Sequence, residues 1–434
     1  MTDNIGLKIH NLGKKIWPFN RSLTGEGVLK TFNELKKINS TLKIHKVASG
    51  KKVFDWIIPD EWNVKEAYII DPSGKKICDF KKNNLHLVGY SIPVEAEFAL
   101  KDLNEYLYSI PEKPNAVPYV TSYYKKSWGF CLADNQRKKL KSGKYKVVIK
   151  STLKKGFLHY GEILIKGRTN KEVFLSTYIC HPSLANNEIS GPCVTIFLSK
   201  WLKELKNKKY SYRIVFVPET IGSIAYLNKN IKKMKKNIFA GFAITCVGDD
   251  RCYSYLPSRN KKSLSDKIAK HVLKNIDKNF KQYNWEDRGS DERQYCAPGV
   301  DLPVATIMRS RPGSYPEYHT SLDNLVDVVT PKGLAGGFNV LQKIIEVANQ
   351  NFYPLTKIIC EPFLAKRNLY PTVKDKSGSA IDNLSRLIID TLTWCDGSHD
   401  LIDIAEEIRI PVWKLYPIIK ILREQKLIKS EKFF

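Results

Sequence analysis

The feature that most constrains the fold is an alternation of short apolar runs with amphipathic helix patterns between about residues 126 and 350. Two of the runs, VFLSTYI at 173–179 and YRIVFVP at 212–218, are almost continuously apolar, as strands buried on both faces are. The stretches that predict helices are 192–208, 222–236, 264–277 and 331–350. This alternation predicts a mostly parallel or mixed sheet with helices on both faces.

The pattern changes on both sides of this block, which predicts four segments. Residues 1–40 have the spacing of two helices that belong to the α/β domain. Residues 41–125 switch to period-two runs separated by Pro, Gly and Asn, which predicts an inserted, small all-β domain. The α/β domain continues over 126–360. Residues 365–434 contain three helix patterns, typical of a winged-helix module.

Composition excludes several classes of protein. The N-terminal stretch lacks the apolar centre of a secretory signal, and no run of about 18 apolar residues predicts a membrane span. Nine scattered cysteines without a CxxC pair argue against a disulfide framework and a zinc ribbon, so we expect a cytoplasmic protein. The phosphate-loop, dinucleotide-binding and GxSxG motifs are absent.

The net charge of +27, from 71 Lys and Arg against 44 Asp and Glu, makes acidic partners worth considering. An ordinary lysine-rich surface explains it more simply. The last helix pattern, KLYPIIKILREQK, offers few short polar side chains for base edges. We therefore favour a contact of the winged helix with a protein partner, or with the rest of this chain, over nucleic acid.

Polar residues follow the predicted strands, where ligands bind in open α/β sheets. His181 and Glu219 come after the two buried runs, and such residues can hold a metal ion or act as a general base. The structural alternatives are a loop histidine and a carboxylate at a helix N-terminus. Three more polar segments follow in order, namely CVGDDR (246–251), GSDERQ (289–294) and YHTSLDN (318–324).

The order and the amino-acid sequences of these segments resemble those of the zinc aminopeptidase and glutaminyl-cyclase superfamily. The matching segments are ANNEISG (185–191), PETIGS (218–223), GSDERQY (289–295), PGVDLPV (298–304) and YHTSLDN (318–324). More closely, they resemble a bacterial family of aminopeptidase-like proteins often associated with surface-polysaccharide biosynthesis loci. The resemblance spans essentially the whole chain. It implies a zinc-aminopeptidase-like mixed sheet flanked by helices, with the β-rich insertion and a C-terminal winged helix.

The resemblance also implies roles for individual residues. His181 and His319 fall on metal ligands, and Asn187 falls on the position of an aspartate that bridges two metal ions. Glu219 falls on the general base. The residues that fall on the substrate pocket are Asp291, Glu292, Arg293 and Tyr318.

Three departures from the superfamily pattern change the expected metal content. Asn187 is neutral, and Thr220 and Thr245 stand where two further carboxylate ligands would be. We therefore expect one zinc ion, weakly held, rather than two. Glu188 or Asp249 could supply the missing negative charge.

These residues lead to two hypotheses about function. The first is a mononuclear zinc hydrolase of the aminopeptidase type, acting on an amide bond in a peptide or an amino-sugar-linked group. The second is a catalytically impaired binding or scaffold protein on the same fold, which recruits a glycan or a biosynthetic partner. A DNA-binding regulator and a cysteine hydrolase are weaker alternatives, and the sequence leaves the oligomeric state open.

Overall fold

The computed structural model describes residues 2–369 and 384–432. Positions 370–383 and 433–434 of the predicted winged-helix segment, like position 1, lie outside the described residues. The chain divides into two compact units. The larger is Met1–Ser265 with Asn279–Leu341, and the smaller is Asp266–Lys278 with Gln342–Phe434.

The larger unit is built on an eight-stranded mixed sheet. In spatial order its strands are Lys43–Ala48, Phe157–Ile165, Ser211–Val217, Glu172–Tyr178, Ile238–Ile244, Val304–Met308, Ser254–Leu256 and Lys281–Gln282. The third to sixth of these strands are parallel. Every residue of Glu172–Tyr178 is buried, which explains its continuous apolar pattern. The predicted mixed α/β sheet is confirmed.

Helices flank this sheet. The helices between residues 2 and 350 are Thr2–Ile16, Glu26–Ile38, Leu100–Leu103, Asp134–Arg137, Ser190–Glu204, Ile221–Asn237, Leu264–Ile276, Glu292–Tyr295 and Pro331–Gln350. The four helices predicted after residue 190 are confirmed, with ends that differ from the prediction by up to four residues. None of the helices in the described ranges has the length and apolar character needed to cross a bilayer.

A second, four-stranded antiparallel sheet takes three of its strands from the period-two region. Its strands, in spatial order, are Lys76–Ile77, Glu61–Ile70, Lys144–Lys154 and Val94–Ala99. Strand Lys43–Ala48 lies inside the predicted range 41–125 but pairs with the large sheet. Strand Lys144–Lys154 lies outside that range but pairs with two strands of the small sheet. An independent domain with the boundaries 41–125 stays a prediction.

The small unit contains the three helices predicted for the C-terminal segment. They are Leu384–Thr393, Leu401–Glu407 and Leu415–Glu424. Strands Tyr353–Thr356 and Ile428–Lys432 pair antiparallel beside them. Asp400 begins the second helix by accepting hydrogen bonds from the backbone of Ile402 and Asp403, as an N-cap does.

A buried arginine joins strands of the large sheet. Arg213 is about 1% exposed and donates to both carboxylate oxygens of Glu172, at 2.5 and 2.9 Å. Its Nη1 donates to Glu162 at 2.9 Å and to the hydroxyl of Tyr226 at 2.8 Å. Because these contacts satisfy most donors of the guanidinium, the cost of burying the charge is largely offset.

We expect Arg213→Met to destabilise the larger unit by about 3 kcal/mol, because Glu172 would keep a buried charge without its partner. Urea unfolding measures the change in the free energy of unfolding. Lys30→Met is the control, since Lys30 pairs with Glu26 on an exposed helix face and should leave stability nearly unchanged. Equal stability of both variants would contradict the prediction.

Candidate functional site

The site lies where the parallel strands of the large sheet end. Parallel strands have their carboxyl ends at one edge of the sheet, so residues that follow them converge. His181 follows Glu172–Tyr178, Glu219 follows Ser211–Val217, and Thr245 follows Ile238–Ile244. His319 lies in the loop beyond the fourth strand.

His181 is held by a carboxylate on one nitrogen and faces a second carboxylate with the other. Its Nδ1 lies 2.9 Å from Oε2 of Glu188, and its Nε2 lies 3.7 Å from Oε2 of Glu219. Burial lowers the pKa of His181, but the hydrogen bond and charge of Glu188 outweigh it and leave this pKa above its usual value. A carboxylate on Nδ1 fixes the imidazole ring and directs Nε2 into the site, as it does in many metal centres.

His319 comes from a distant loop and lies beside His181, with the ring centres 5.6 Å apart. Tyr318 stacks on His319 at 3.9 Å, and Tyr119 contacts both histidine rings, at 5.0 and 5.2 Å. Burial and the neighbouring His181 lower the pKa of His319 to about 3. Neither ring nitrogen of His319 makes a hydrogen bond within the described parts of the chain, so a neutral imidazole presents an available lone pair.

Tyr119 shows that the β-rich region contributes to this site. Its backbone N–H donates to the carbonyl of His319 at 2.9 Å, and Ser321 N–H donates to the carbonyl of Val117 at 2.9 Å. The hydroxyl groups of Tyr119 and Tyr123 are 2.6 Å apart. The sequence contained no signal for these contacts, because they join segments about 200 residues apart.

Asn187 belongs to a buried network of neutral groups. Tyr178 donates its hydroxyl to Oδ1 of Asn187 at 2.8 Å and is also hydrogen-bonded to the hydroxyl of Thr245. Nδ2 of Asn187 is buried and has no hydrogen-bond partner among the described residues. The two amide atoms of asparagine are interchangeable in such a network. With the amide turned over, Asn187 would donate to Tyr178 and its oxygen would take the unpartnered position.

Asp323 fixes the loop that carries Asn187. Its two carboxylate oxygens accept hydrogen bonds from the backbone of Asn186 at 2.7 Å and of Asn187 at 3.0 Å, and Tyr315 donates its hydroxyl at 2.9 Å. Burial raises the pKa of Asp323 to about 6, although these donors oppose the shift. The loop itself, Ala185–Ile189, is a π-helical turn, a rare form that often marks a functional site.

Glu219, which is partly exposed, and the buried Asp291 interact as an acidic pair in which we assign the shared proton to Asp291. Ser290 donates to Oε1 of Glu219 at 2.8 Å, and His181 and Arg293 also favour its charged form. Burial nevertheless raises the pKa of Glu219. Burial and the charge of Glu219 raise the pKa of Asp291 to about 8. Oδ2 of Asp291 is buried without a hydrogen-bond partner among the described residues, which is where a proton fits.

The backbone is strained in each of the strand-end loops. In the loops that follow the four parallel strands, the residues other than glycine with positive φ are Ser183 (43°), Thr220 (64°), Cys246 (48°) and His319 (55°). Thr220 is the most unusual, because a β-branched residue rarely adopts this region. With ψ −77° and a hydrogen bond from Ile221 N–H to the carbonyl of Glu219 at 2.8 Å, it forms a γ-turn directly after Glu219. Strain of this kind concentrates at functional sites.

Asp291, Glu292, Arg293 and Tyr318, the four residues predicted to line a substrate pocket, lie near the carboxyl ends of the parallel strands and make different contacts there. Asp291 accepts from the backbone N–H of Thr220 at 2.8 Å, and Arg293 donates to the hydroxyl of Thr220 at 2.9 Å. Glu292 accepts from the backbone N–H of Ser290 at 2.9 Å. Glu292 and Tyr318 line a cavity of about 180 Å³. Thr245, Ser290, Arg288 and Arg311 are among its other lining residues.

The residues present fit one divalent cation better than two. Two imidazoles that share a tetrahedral zinc have their ring centres about 5 Å apart, close to the separation of His181 and His319. Thr220 and Thr245 carry no charge, and their hydroxyl groups are engaged by Arg293 and Tyr178, so neither offers a strong ligand to a second ion.

The two carboxylates considered as compensation have different surroundings. Asp249 accepts hydrogen bonds from Asn186, Arg251 and Ser310. Glu188 lies near Cys180 and Nδ1 of His181, an arrangement that could bind a metal by itself. However, Arg21 lies 3.7 Å from Glu188, and a buried guanidinium disfavours a cation on that side of His181.

Comparisons with known proteins agree with this fold. A protein from Clostridium acetobutylicum described as a putative polysaccharide biosynthesis protein with aminopeptidase-like domain is 42% identical over 401 residues, covering 92% of this chain and 91% of the relative. The crystal structure of a putative peptidase from the same organism has a TM-score of 0.92 at 39% identity and covers 99% of this chain and 97% of its own. BSAP, a zinc aminopeptidase from Bacillus subtilis, has a TM-score of 0.58 at 13% identity, over 80% of this chain and 95% of its own, and shares the fold.

The fold and these relatives together define an aminopeptidase-like α/β protein with a C-terminal winged helix. Residues 351–430 match the model of a winged helix-turn-helix family, which confirms the C-terminal module. Residues 10–351 match the family described as a domain of unknown function, DUF4910. The chain belongs to the DUF4910 family, and the predicted resemblance to aminopeptidase-like proteins is confirmed.

We expect Asp291→Asn to change how stability depends on pH. A carboxyl group whose pKa rises from 3.8 unfolded to about 8 folded binds its proton more tightly in the folded state. The free energy of unfolding of the wild type therefore falls as pH rises through that window, and the neutral amide of the variant removes this loss. Relative to the wild type, the variant should gain about 2–3 kcal/mol between pH 6 and pH 9. Urea unfolding in the presence of a chelator measures this, and a constant difference would contradict the assignment.

Proposed function

We propose that this protein is a zinc-dependent hydrolase that cleaves an amide bond with a single metal ion. The observation that carries the proposal is the hydrogen bond between Glu188 and Nδ1 of His181, which leaves Nε2 facing Glu219 and beside the neutral ring of His319. His181, His319 and the amide oxygen of Asn187 would hold the ion. When bound, zinc would polarise the carbonyl of the substrate and activate a water molecule.

Glu219 is the residue with the position and chemistry of a general base. Its Oε2 lies 3.7 Å from Nε2 of His181, so it borders the place where the nucleophilic water would be. Ser290 orients the carboxylate through Oε1, and burial brings the pKa of Glu219 above its usual value, which suits a group that accepts a proton and later returns it. The leaving amine would receive that proton.

The substrate that we propose is an amide in a peptide or in an amino-sugar-linked group of surface-polysaccharide biosynthesis. The name of the 42% identical relative supports the polysaccharide context. The cavity beside Ser290 and Tyr318 is lined by Arg288 and Arg311 as well as by apolar side chains such as Met308, so it would accommodate a substrate group with both hydrogen-bonding and apolar parts. The nine cysteines are free, which fits the cytoplasm as the compartment.

One observation favours a binding or scaffold role instead. Asn187, Tyr178 and Thr245 form a neutral network where a dinuclear enzyme would have charged ligands. A site that binds zinc weakly could keep the fold and lose catalysis. In that case the winged helix would recruit a protein partner, for which its modestly basic last helix is better suited than for duplex DNA.

Metal analysis of untagged protein tests the hydrolase proposal first. We expect about one zinc per chain in the wild type, because three protein ligands and water complete a catalytic site, and almost none after His181→Ala with His319→Ala. The control is His86→Ala with His159→Ala, two partly buried histidines outside the site, which should keep the zinc. Wild-type protein that neither contains nor takes up zinc would favour the scaffold role.

Glu219→Gln tests the general base separately from metal binding. In a screen with aminoacyl p-nitroanilides, we expect this variant to lose at least about 100-fold in kcat/KM, because an amide cannot accept the proton. Its zinc content should equal that of the wild type. Glu26→Gln makes the same chemical change on an exposed helix and should leave turnover unchanged. Wild-type turnover by Glu219→Gln would refute this role.

A further inference from the structure

We propose that Arg21 is a positioning residue for the metal site, which holds Glu188 and, through Glu188, the ring of His181. This inference rests on the proposed function, because it concerns how well His181 is prepared to bind zinc. Arg21 lies in the connection between helices Thr2–Ile16 and Glu26–Ile38, far from the active-site motifs in the sequence.

Arg21 makes contacts with three parts of the structure at once. Its Nη1 donates to the carbonyl of Ile16 at 2.6 Å, at the end of the first helix, where a cation is favourable. Its Nε donates to the backbone carbonyl of His181 at 3.1 Å. The same Nε lies 3.7 Å from Oε1 of Glu188. The guanidinium thus joins the N-terminal helices to both the backbone and the carboxylate partner of His181.

Glu188 is held between two groups. Oε1 faces Arg21, and Oε2 faces Nδ1 of His181 at 2.9 Å. Because the cation attracts one oxygen, the carboxylate is oriented to offer the other to the imidazole. A carboxylate in this place fixes both the orientation of the ring and the nitrogen that carries the proton. Arg21 therefore influences the orientation of His181 through Glu188 and does not need to contact the substrate.

The geometry fits a positioning role better than a purely stabilising one. Arg21 and Glu188 are each about 1% exposed, yet Nη2 of Arg21 and Oε1 of Glu188 have no hydrogen-bond partner among the described residues. Arg213 offers a comparison, since it is equally buried but donates to Glu172 at 2.5 and 2.9 Å. An ion pair buried without close hydrogen bonds repays little of its desolvation cost. The presence of a buried charge at Arg21 is better explained by its effect on the orientation of the Glu188 carboxylate.

Arg213→Met is a matched control for Arg21→Met, since each variant removes a buried arginine from its carboxylate. Zinc affinity is measured by competition with a chelating dye on folded protein at low temperature. We expect Arg21→Met to weaken zinc binding about 10-fold, as loss of an outer partner of a metal ligand commonly does. Arg213→Met should stay within about 2-fold of the wild type, because it destabilises the sheet without reaching the site. Equal losses in the two variants would overturn the proposal.

A double-mutant cycle tests whether Arg21 acts through Glu188. In a Glu188→Gln background the carboxylate that Arg21 attracts is already absent, so Arg21→Met should weaken zinc binding by no more than about 2-fold. A full loss of about 10-fold in that background would mean that Arg21 acts by another route. If Arg21→Met does not fold, Arg21→Lys against Arg213→Lys carries the comparison, with a smaller loss expected only at position 21.

A readout without zinc separates this inference from the proposed function. Nitrogen-15 spectra of histidine-labelled, zinc-free protein report which nitrogen of His181 carries the proton. The spectra are recorded at a pH well above the raised pKa of His181, so that its ring is neutral. There we expect the Nδ1–H form in the wild type and in Arg213→Met, and a mixture in Arg21→Met. An unchanged His181 spectrum in Arg21→Met would refute the positioning role even if the wild type bound zinc. If the wild type does not bind zinc but the His181 spectrum of Arg21→Met changes as expected, the hydrolase proposal is refuted and the positioning role of Arg21 stands.

Discussion

The site depends on one buried carboxylate, Asp323, which ties together two loops that are far apart in the sequence. Its two oxygens hold the backbone N–H groups of Asn186 and Asn187, and its own backbone lies four residues after His319. The histidine loop and the π-helical turn are therefore fixed to each other before any ligand arrives. Because Asp323 is fully buried, with its pKa raised to about 6, this connection is itself costly, and neighbouring donors such as the hydroxyl of Tyr315 are needed to keep it.

Around that connection, hydroxyl and amide groups form a neutral network. Thr245 and Asn187 are linked through Tyr178, and Thr220 is linked to Arg293. A neutral network needs no second cation to balance it, so the protein can be stable without a dinuclear centre. Two carboxylates, Glu188 and Glu219, face opposite nitrogens of His181. The imidazole ring of His181 thus lies between the two carboxylates.

Sequence reasoning predicted the parts of the structure that are local. The buried strands, the helices after residue 190, and the strand-end positions of His181, Glu219 and His319 follow from periodicity and from the motifs. The roles of Arg21, Tyr119 and Asp323 could not be predicted, because each arises from contacts between distant segments. Strand Lys43–Ala48 has the same period-two pattern as its neighbours, and that pattern does not specify which sheet a strand joins. The positive φ of Thr220 could not be predicted either, because threonine is β-branched and rarely adopts this backbone conformation.

The large sequence separation between Arg21 and its partners has a consequence for folding of the chain. Arg21 is made early in synthesis, but the carbonyl and the carboxylate that receive its charge belong to residues about 160 positions later. Until that strand and its following turn emerge, the guanidinium has to stay in water, and the first two helices cannot take their final positions. Closure of such a long loop is slow compared with local helix formation. We therefore expect the edge of the sheet that carries His181 to form late in folding, after the helices and the small antiparallel sheet.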